Sequence, residues 1–405
     1  MPIPLTAPRE QRPAPVTALP RILRPQRAAP SDAIRPTRAE VSLANLRHNL
    51  HCLQKLAGDA QVWSVLKADG YGHGSKAVAR TLERAGVRGV CVALLEEGIE
   101  LREAGIRVPI LVMGGYYGRA WGQLFDYGLT PVVHSADQIE ALANEARYAQ
   151  KRIAVHVKVD TGMGRLGALP RDVAELGATL RKYPEVQLEG LMTHFARADS
   201  GDSESIDHQL DLLDEAERTL RAMGLVATLR HAANSAALLT GQRARLDMVR
   251  PGIALFGVEP RPGAARELRP VMRVRSEIIA MRELAAGQSV GYGGTWTTRR
   301  TSRIATLPMG YADGLVRGLS NHGDVLVRGR RAPIVGVVSM DMTMIDVTEI
   351  VGAQVGDECV ILGTQKGPEG KATISAHEIA ERIGSIPWEV LTNISRRVPR
   401  FYRES

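Results

Sequence analysis

No stretch of this 405-residue chain approaches the roughly 18 consecutive apolar residues of a membrane-spanning helix, so no span of that kind is expected. Cysteine is scarce. Cys52, Cys91 and Cys359 are odd in number, far apart and in no CxxC spacing, which argues against a disulfide framework and against a zinc site. Buried thiols in a reducing compartment are the simpler reading, and a cytoplasmic location with no structural metal is the expectation. The N-terminal stretch lacks the consecutive apolar residues of a secretory signal. No internal repeat is present. No GxGxxG follows the first apolar run, which counts against a dinucleotide-binding open sheet.

The formal charge is +8, but its distribution weakens a nucleic-acid reading. Residues 1–38 hold seven arginines (9, 12, 21, 24, 27, 35, 38) against Glu10 and Asp32, and nine of the 22 prolines. Such a segment cannot bury enough apolar surface to offset the entropy of ordering itself. It reads as a disordered or loosely docked extension, and its prolines would break the amphipathic helix of an organelle-transit peptide. No nucleic-acid or membrane partner is expected.

From residue 39 the pattern is regular, and the length suggests two domains. Leu43, Leu46, Leu50 and Leu53 recur at helical spacing. Eight apolar runs of strand length follow: 61–66, 89–94, 109–113, 129–133, 153–159, 188–192, 227–231 and 248–255. Helical stretches such as 75–85 and 205–222 lie between several of them. Alternation of this kind means parallel βαβ units. Eight units over residues 39–268 fit a (β/α)8 barrel of roughly 250 residues. The segment 269–405 changes character. Runs at 271–281, 303–308, 323–327, 333–338, 342–347 and 358–362, separated by Gly-containing turns, suggest a mainly β domain with one helix at 375–384. Ser375 and Glu378 form its capping box.

Barrel enzymes place their chemistry where strands end. Lys67 closes the first run; Lys158 and Asp160 close the fifth, ahead of a TGMGRLG loop carrying Arg165. His194 closes the sixth run, Asn234 and Ser235 follow the seventh, and Arg250 and Gly252 lie in the eighth. Desolvation of a strand-end lysine favours its neutral, nucleophilic amine, which an imine with an aldehyde cofactor requires. Ser235, Gly252 and the backbone near Ile253 sit where barrels commonly hold phosphate. An amine, a phosphate cup and several cations together point to pyridoxal phosphate. Each residue alone reads more simply as a solvated cation or a satisfied buried histidine; their joint placement does not.

Nine segments carry a family resemblance: VLKADGYGHG (65–74), HVKVDTGMGRLG (156–167), MTHFARAD (192–199), HAANSAA (231–237), MVRPGIALFG (248–257), VGYGGTW (290–296), LPMGYADG (307–314), VSMDMTMIDV (338–347) and RRVPR (396–400). In this order they resemble the alanine racemase family over nearly everything from residue 39 onward. The resemblance implies a cofactor-binding barrel, a C-terminal β domain and a head-to-tail homodimer whose subunits share active sites. It implies interconversion of L- and D-alanine, supplying D-alanine for cell-wall synthesis. Lys67 would carry pyridoxal 5'-phosphate and act as one base, and Tyr292 would be the opposing base, reaching the other subunit's site. Tyr71 and Ser235, with backbone N–H groups of Gly252 and Ile253, would bind the phosphate. Arg250 would face the pyridine nitrogen, with His194 and Asn234 near the cofactor. Arg165 would hold the substrate carboxylate, steered by a carbamate on Lys158. Met340, Tyr311 and Asp341 would border the substrate. Two bases suit racemisation, because the α-proton leaves one face and returns on the other.

One position departs from the family pattern: Arg396 stands where a tyrosine usually touches the phosphate and narrows the substrate gate. Arginine can bind phosphate bidentately, so one reading is an exchange of phosphate ligands. The other is a broader substrate range including serine, lysine or arginine. Two further classes compete. A decarboxylase of similar plan commonly uses a C-terminal catalytic cysteine, whereas Cys359 lies in a plain apolar run. A cofactor carrier built from the barrel alone leaves the last 130 or so residues unexplained. The Arg-rich extension has no assigned role.

Overall fold

The computed structural model describes residues 34–114, 120–241, 243–261 and 263–404. Eight parallel strands close into a barrel: β2 (Gln61–Val65), β3 (Gly89–Val92), β4 (Ile110–Val112), β5 (Thr130–Val133), β6 (Ile153–Lys158), β7 (Val186–Met192), β8 (Leu229–His231) and β9 (Met248–Val249). Each falls inside or beside one of the eight runs expected. Helices between them, such as Ser75–Arg84 and Ser203–Ala222, bury one apolar stripe each against the strands. The (β/α)8 architecture follows from that alternation.

The barrel interior is filled by ring-against-glycine pairs. In the β2–β3 register Trp63 lies opposite Gly89, and in the β6–β7 register His156 lies opposite Gly190. A Cβ at Gly89 would meet the indole at 2.5 Å, and one at Gly190 the imidazole at 2.4 Å. A narrow barrel accepts these large rings only where the neighbouring strand offers no side chain.

The strand β1 (Arg38–Ser42) precedes the barrel in sequence but joins the second domain. It pairs antiparallel with β10 (Met272–Glu277) and parallel with the C-terminal strand Arg400–Arg403. The barrel boundary expected at residue 39 is therefore corrected for this strand. Its five residues merge into the helix Leu43–Ala57 by spacing, and Ser42 caps that helix through Asn45 N–H at 3.1 Å. Of the extension expected at 1–38, residues 1–33 lie outside the described residues. Arg35 instead pairs with the fully buried Asp313 at 2.8 Å.

The second domain is mainly β, as expected. After β10 come β11 (Ala280–Leu284), β12 (Ser289–Val290), β13 (Trp296–Thr297), β14 (Ser302–Leu307), β15 (Asp324–Val327), β16 (Arg330–Pro333), β17 (Thr343–Asp346), β18 (Glu358–Gly367), β19 (Gly370–Ile374) and β20 (Arg400–Arg403). They form a seven-stranded sheet, a three-stranded sheet and the β12–β13 ribbon. The run 271–281 splits into two strands, and 333–338 is mostly irregular, the strand there ending at Pro333. No described helix is long and apolar enough to cross a membrane.

Because Gly89 is held against the Trp63 ring, Gly89→Ala should overpack the barrel and cost about 1–3 kcal/mol. Urea unfolding of the full chain measures this; an unchanged midpoint would refute the ring-against-glycine account.

Candidate active site

The chain makes an unusual turn immediately after β2. Ala68, Asp69, Gly70 and Tyr71 all have positive φ, between 52° and 62°. A left-handed turn costs roughly 1–2 kcal/mol for each residue other than glycine, so it persists only where its surroundings hold it. Glu97 supplies much of that hold. Its carboxylate accepts the N–H of Ala68 at 2.6 Å, and those of Ala93 and Leu94 at 2.8 and 3.1 Å. Asp69 accepts the Ser75 N–H at 2.8 Å, and Arg400 donates to the Gly72 carbonyl at 2.9 Å. The result is that Lys67 and Tyr71 both face one cavity of about 450 Å³ at the C-terminal mouth of the barrel.

Ten residues singled out from the sequence line that cavity: Lys67, Tyr71, Lys158, Arg165, His194, Asn234, Ser235, Arg250, Gly252 and Ile253. They come from the ends of five strands. Lys67 is open to the cavity, yet burial by its walls and then the charge of Arg165 lower its amine pKa, while Glu97 opposes the shift. Burial, Arg165 and Arg250 push Lys158 down to about 8. His194 is pushed to about 3, by burial first and then by Arg250. Arg250 is brought down to about 10 by burial.

The cup after β8 and β9 is preformed. Ser235 Oγ accepts the N–H groups of Gly252 at 2.9 Å and Ala254 at 3.3 Å. A Cβ on residue 252 would sit 2.2 Å from the Tyr71 hydroxyl, so only glycine fits there. Asn234 caps the helix Ser235–Thr240 through Ala237 N–H at 3.0 Å, which fixes where Ser235 begins. The loop carrying Arg165 is gathered by one carboxylate: Asp160 accepts four successive N–H groups, from Gly162, Met163, Gly164 and Arg165. Burial raises the Asp160 carboxyl, but these bonds outweigh it and hold its pKa below the ordinary value.

The remaining expected residues lie elsewhere in the chain. Tyr292 is 74% exposed, on the turn between β12 and β13. Tyr311 and Met340 are also exposed, on two loops joined by the Tyr311 N–H to Ser339 and Ala312 N–H to Met340 hydrogen bonds. Asp341 pairs with Arg397 at 2.7 Å. None of these four lines the Lys67 cavity. Arg396 does not line it either; it borders a neighbouring cavity with Asp69, Glu96, Glu97 and Glu100. Among the lining residues that sequence reasoning did not single out are Asp199 and Trp388. Asp199 closes the quoted MTHFARAD segment and its carboxyl is raised by burial. Trp388 sits on the short helix Pro387–Thr392 of the second domain and carries no local signal.

A barrel whose C-terminal mouth gathers two lysines, two arginines and a glycine-backed hydroxyl cup defines an enzyme that takes an anionic ligand. The comparisons make the class specific. The alanine racemase N-terminal domain matches residues 41–260 and the C-terminal domain residues 271–402. An alanine racemase of Sorangium cellulosum is 60% identical over 92% of this chain and all of its own length. One from Halothermothrix orenii is 44% identical over 91% of this chain and 97% of its own. Among solved structures, the alanine racemase of D-cycloserine-producing Streptomyces lavendulae superposes with a TM-score of 0.87 at 33% identity, over 92% of this chain and 98% of that one. The Bartonella henselae alanine racemase with covalently bound pyridoxal phosphate gives 0.82 at 28%, over 91% and 99%. The chain belongs to the alanine racemase family, a family of isomerases.

The negative charge of Glu97 raises the Lys67 pKa, so Glu97→Gln should shift the amine's titration to lower pH. Reagent labelling of Lys67 against pH, read by peptide mass, should show an earlier midpoint. Glu97→Ala, which removes an acceptor from three N–H groups, should cost about 1–3 kcal/mol and speed amide exchange at 68–74. Unchanged exchange there would remove Glu97 as the support of the turn.

Proposed function

We propose that this cavity binds pyridoxal 5'-phosphate and that the protein interconverts L- and D-alanine, supplying D-alanine for cell-wall synthesis. The observation that carries the reading is the convergence of the Lys67 amine and the Arg250 guanidinium on one cavity beside the Tyr71–Ser235–Gly252 cup. The fit is specific, since the cup excludes any side chain at residue 252 and presents hydroxyls and N–H groups to an anion. When bound, the cofactor supplies an aldehyde for amine exchange and withdraws electrons from the substrate's α-carbon.

Lys67 would hold the cofactor through its amine and then move the α-proton on one face. Tyr71, Ser235 and the Ile253 and Gly252 N–H groups would hold the phosphate. His194, kept neutral, would pack near the ring. Arg250 has no lone pair to accept a proton, so it would leave the pyridine nitrogen neutral and limit electron withdrawal, which disfavours side reactions such as transamination. Arg165 would hold the substrate carboxylate. Lys158 beside it has about a tenth of its amine neutral at pH 7, against about one part in 3,000 for an ordinary lysine. Attack of that amine on CO₂, with loss of a proton, would turn a cation repelling Arg165 into an anion steering it.

Tyr292 would supply the second base from a second copy of the chain, because its own copy leaves it exposed and away from Lys67. Tyr311, Met340 and Asp341 would arrive with it. The 60% identity to an alanine racemase favours alanine as the substrate over serine, lysine or arginine, and Arg396, which borders the neighbouring cavity, would bear on that range.

The cofactor-loaded protein should racemise L-alanine without releasing CO₂, as chiral product analysis over a panel of amino acids would show. Tyr292→Phe should lose most from the L side; an unaffected rate would remove that tyrosine from the mechanism. Equal mixing of Lys67→Ala and Tyr292→Phe chains, each nearly inactive, should restore about a quarter of the sites if subunits share them. No gain on mixing would overturn the shared-site dimer.

A further inference from the structure

A polar chain runs through the barrel core beneath the proposed cofactor site. Arg250 is 3% exposed, and its acceptors are the Thr193 carbonyl at 2.9 Å, the Ala232 carbonyl at 3.0 Å and His231 Nδ1. Among the described residues no carboxylate pairs with it directly. His231 Nε2 in turn lies 2.7 Å from His156 Nδ1, and His156 Nε2 lies 3.3 Å from the Glu189 carboxylate. Both imidazoles are fully buried, whereas the Glu189 side chain is 38% exposed. Glu189 stands on β7 three residues before Met192, which lines the cavity.

The direction of every proton in this chain is determined. A guanidinium can only donate, so His231 must accept at Nδ1 and carry its proton on Nε2. That proton is donated to His156 Nδ1, which forces the His156 proton onto Nε2. The last donor needs an acceptor, and Glu189 is the only one it meets among the described residues. Gly190 fixes the His156 ring in place, because a Cβ there would strike it. Two neutral rings of one tautomer thus connect a buried cation to a half-exposed carboxylate midway along β7.

We propose that Glu189 is a positioning residue for the racemase reaction: by accepting the terminal proton of the His156–His231 chain, it sets both tautomers and so orients Arg250 toward the cofactor ring. Without that acceptor, the tautomers are held only from the Arg250 end, and the buried His156 Nε2–H is left without a partner among the described residues, which favours moving the proton to Nδ1. That proton then faces the His231 Nε2–H, and the conflict is relieved only by moving a proton to His231 Nδ1, against Arg250. The defect therefore arrives at the guanidinium, although the substitution is remote from the cavity. The inference rests on the cofactor reading for its consequence, but not for the tautomers.

The test compares Glu189→Ala, which removes the acceptor, with Glu189→Gln, whose amide oxygen keeps one without the charge. Nitrogen-15 spectra of histidine-labelled protein, before and after pyridoxal phosphate is added, should show both buried rings as Nε2–H tautomers in the unaltered chain and in Glu189→Gln. In Glu189→Ala that state should be lost, kcat should fall about tenfold with KM for alanine nearly unchanged, and the bound cofactor's absorption maximum should shift. A proton on His231 Nδ1 in the unaltered chain overturns the proposal even if Glu189→Ala does not fold. Equal loss in both variants, or in neither, overturns it as well. Failure of the protein to bind the cofactor would instead strike the reading of the cavity, and the tautomer measurement would still stand.

Discussion

Mutual repulsion among four cations governs the mouth of this barrel. Lys67, Lys158, Arg165 and Arg250 line one cavity, and each lysine is lowered both by burial and by the arginine charge beside it. A folded chain accepts such crowding only at a cost, because buried like charges are poorly screened. The crowding has two consequences. It holds more of the lysine amines in the neutral form that nucleophilic chemistry uses, and it makes the cavity complementary to anions. A phosphate and a substrate carboxylate would relieve the repulsion, so the site is arranged to be most stable when filled. Among the described residues Asp199 is the one carboxyl on the cavity wall, and burial raises its pKa.

The rest of the fold serves to keep these groups in register. Parallel strands deliver them at one end, but the strands alone do not aim Lys67 and Tyr71 into the same space. That depends on the left-handed turn, and the turn depends on partners from elsewhere: the Glu97 carboxylate after β3, which accepts, and the Arg400 guanidinium of β20, which donates. The strand β20 lies beside β1, so the second domain is tied to the cofactor loop through its main sheet. Likewise Trp388 reaches the cavity wall from a helix of the second domain. The two domains are thus coupled at the point where the chemistry is proposed, and not merely adjacent in sequence.

Much of the barrel was legible because its signal is local and repeated. Apolar runs of strand length separated by helical spacing specify βαβ units, and polar residues closing those runs fell on the cavity: Lys67, Lys158, His194 and Ser235 were found in this way. What was not legible depends on contacts between distant segments. β1 has five residues and no turn before its helix, so its pairing with β10 could not be read from spacing. The strands flanking Tyr292 are two residues each, too short for a period to show. The left-handed conformation of Ala68, Asp69 and Tyr71 contradicts their local preferences, and only its tertiary acceptors explain it. Arg396 was placed by analogy with a phosphate contact; that its side chain borders a cavity shared with Asp69 and the glutamates of the helix after β3 is a distribution of charge that no local pattern announces.

The separation of Lys67 from Tyr292 within one chain bears on why a dimer suits this chemistry. Two bases on opposite faces of a planar centre must approach along opposed directions. A barrel mouth offers side chains from one side only, since every strand-end group points outward from the same rim. The base for the second face must come from a body that stands over that rim. In this chain the exposed set on the loops at 291–295, 310–313 and 339–342 lies in the second domain, away from its own cavity, and those loops are tied to neighbouring segments, as the Tyr311–Ser339 and Asn321–Thr295 bonds show. A head-to-tail pair would bring such a surface over the neighbouring rim without either chain having to bend. On the proposed two-base reading, a single subunit would supply one face of the reaction, and the need for the other face would be a reason for the chain to assemble.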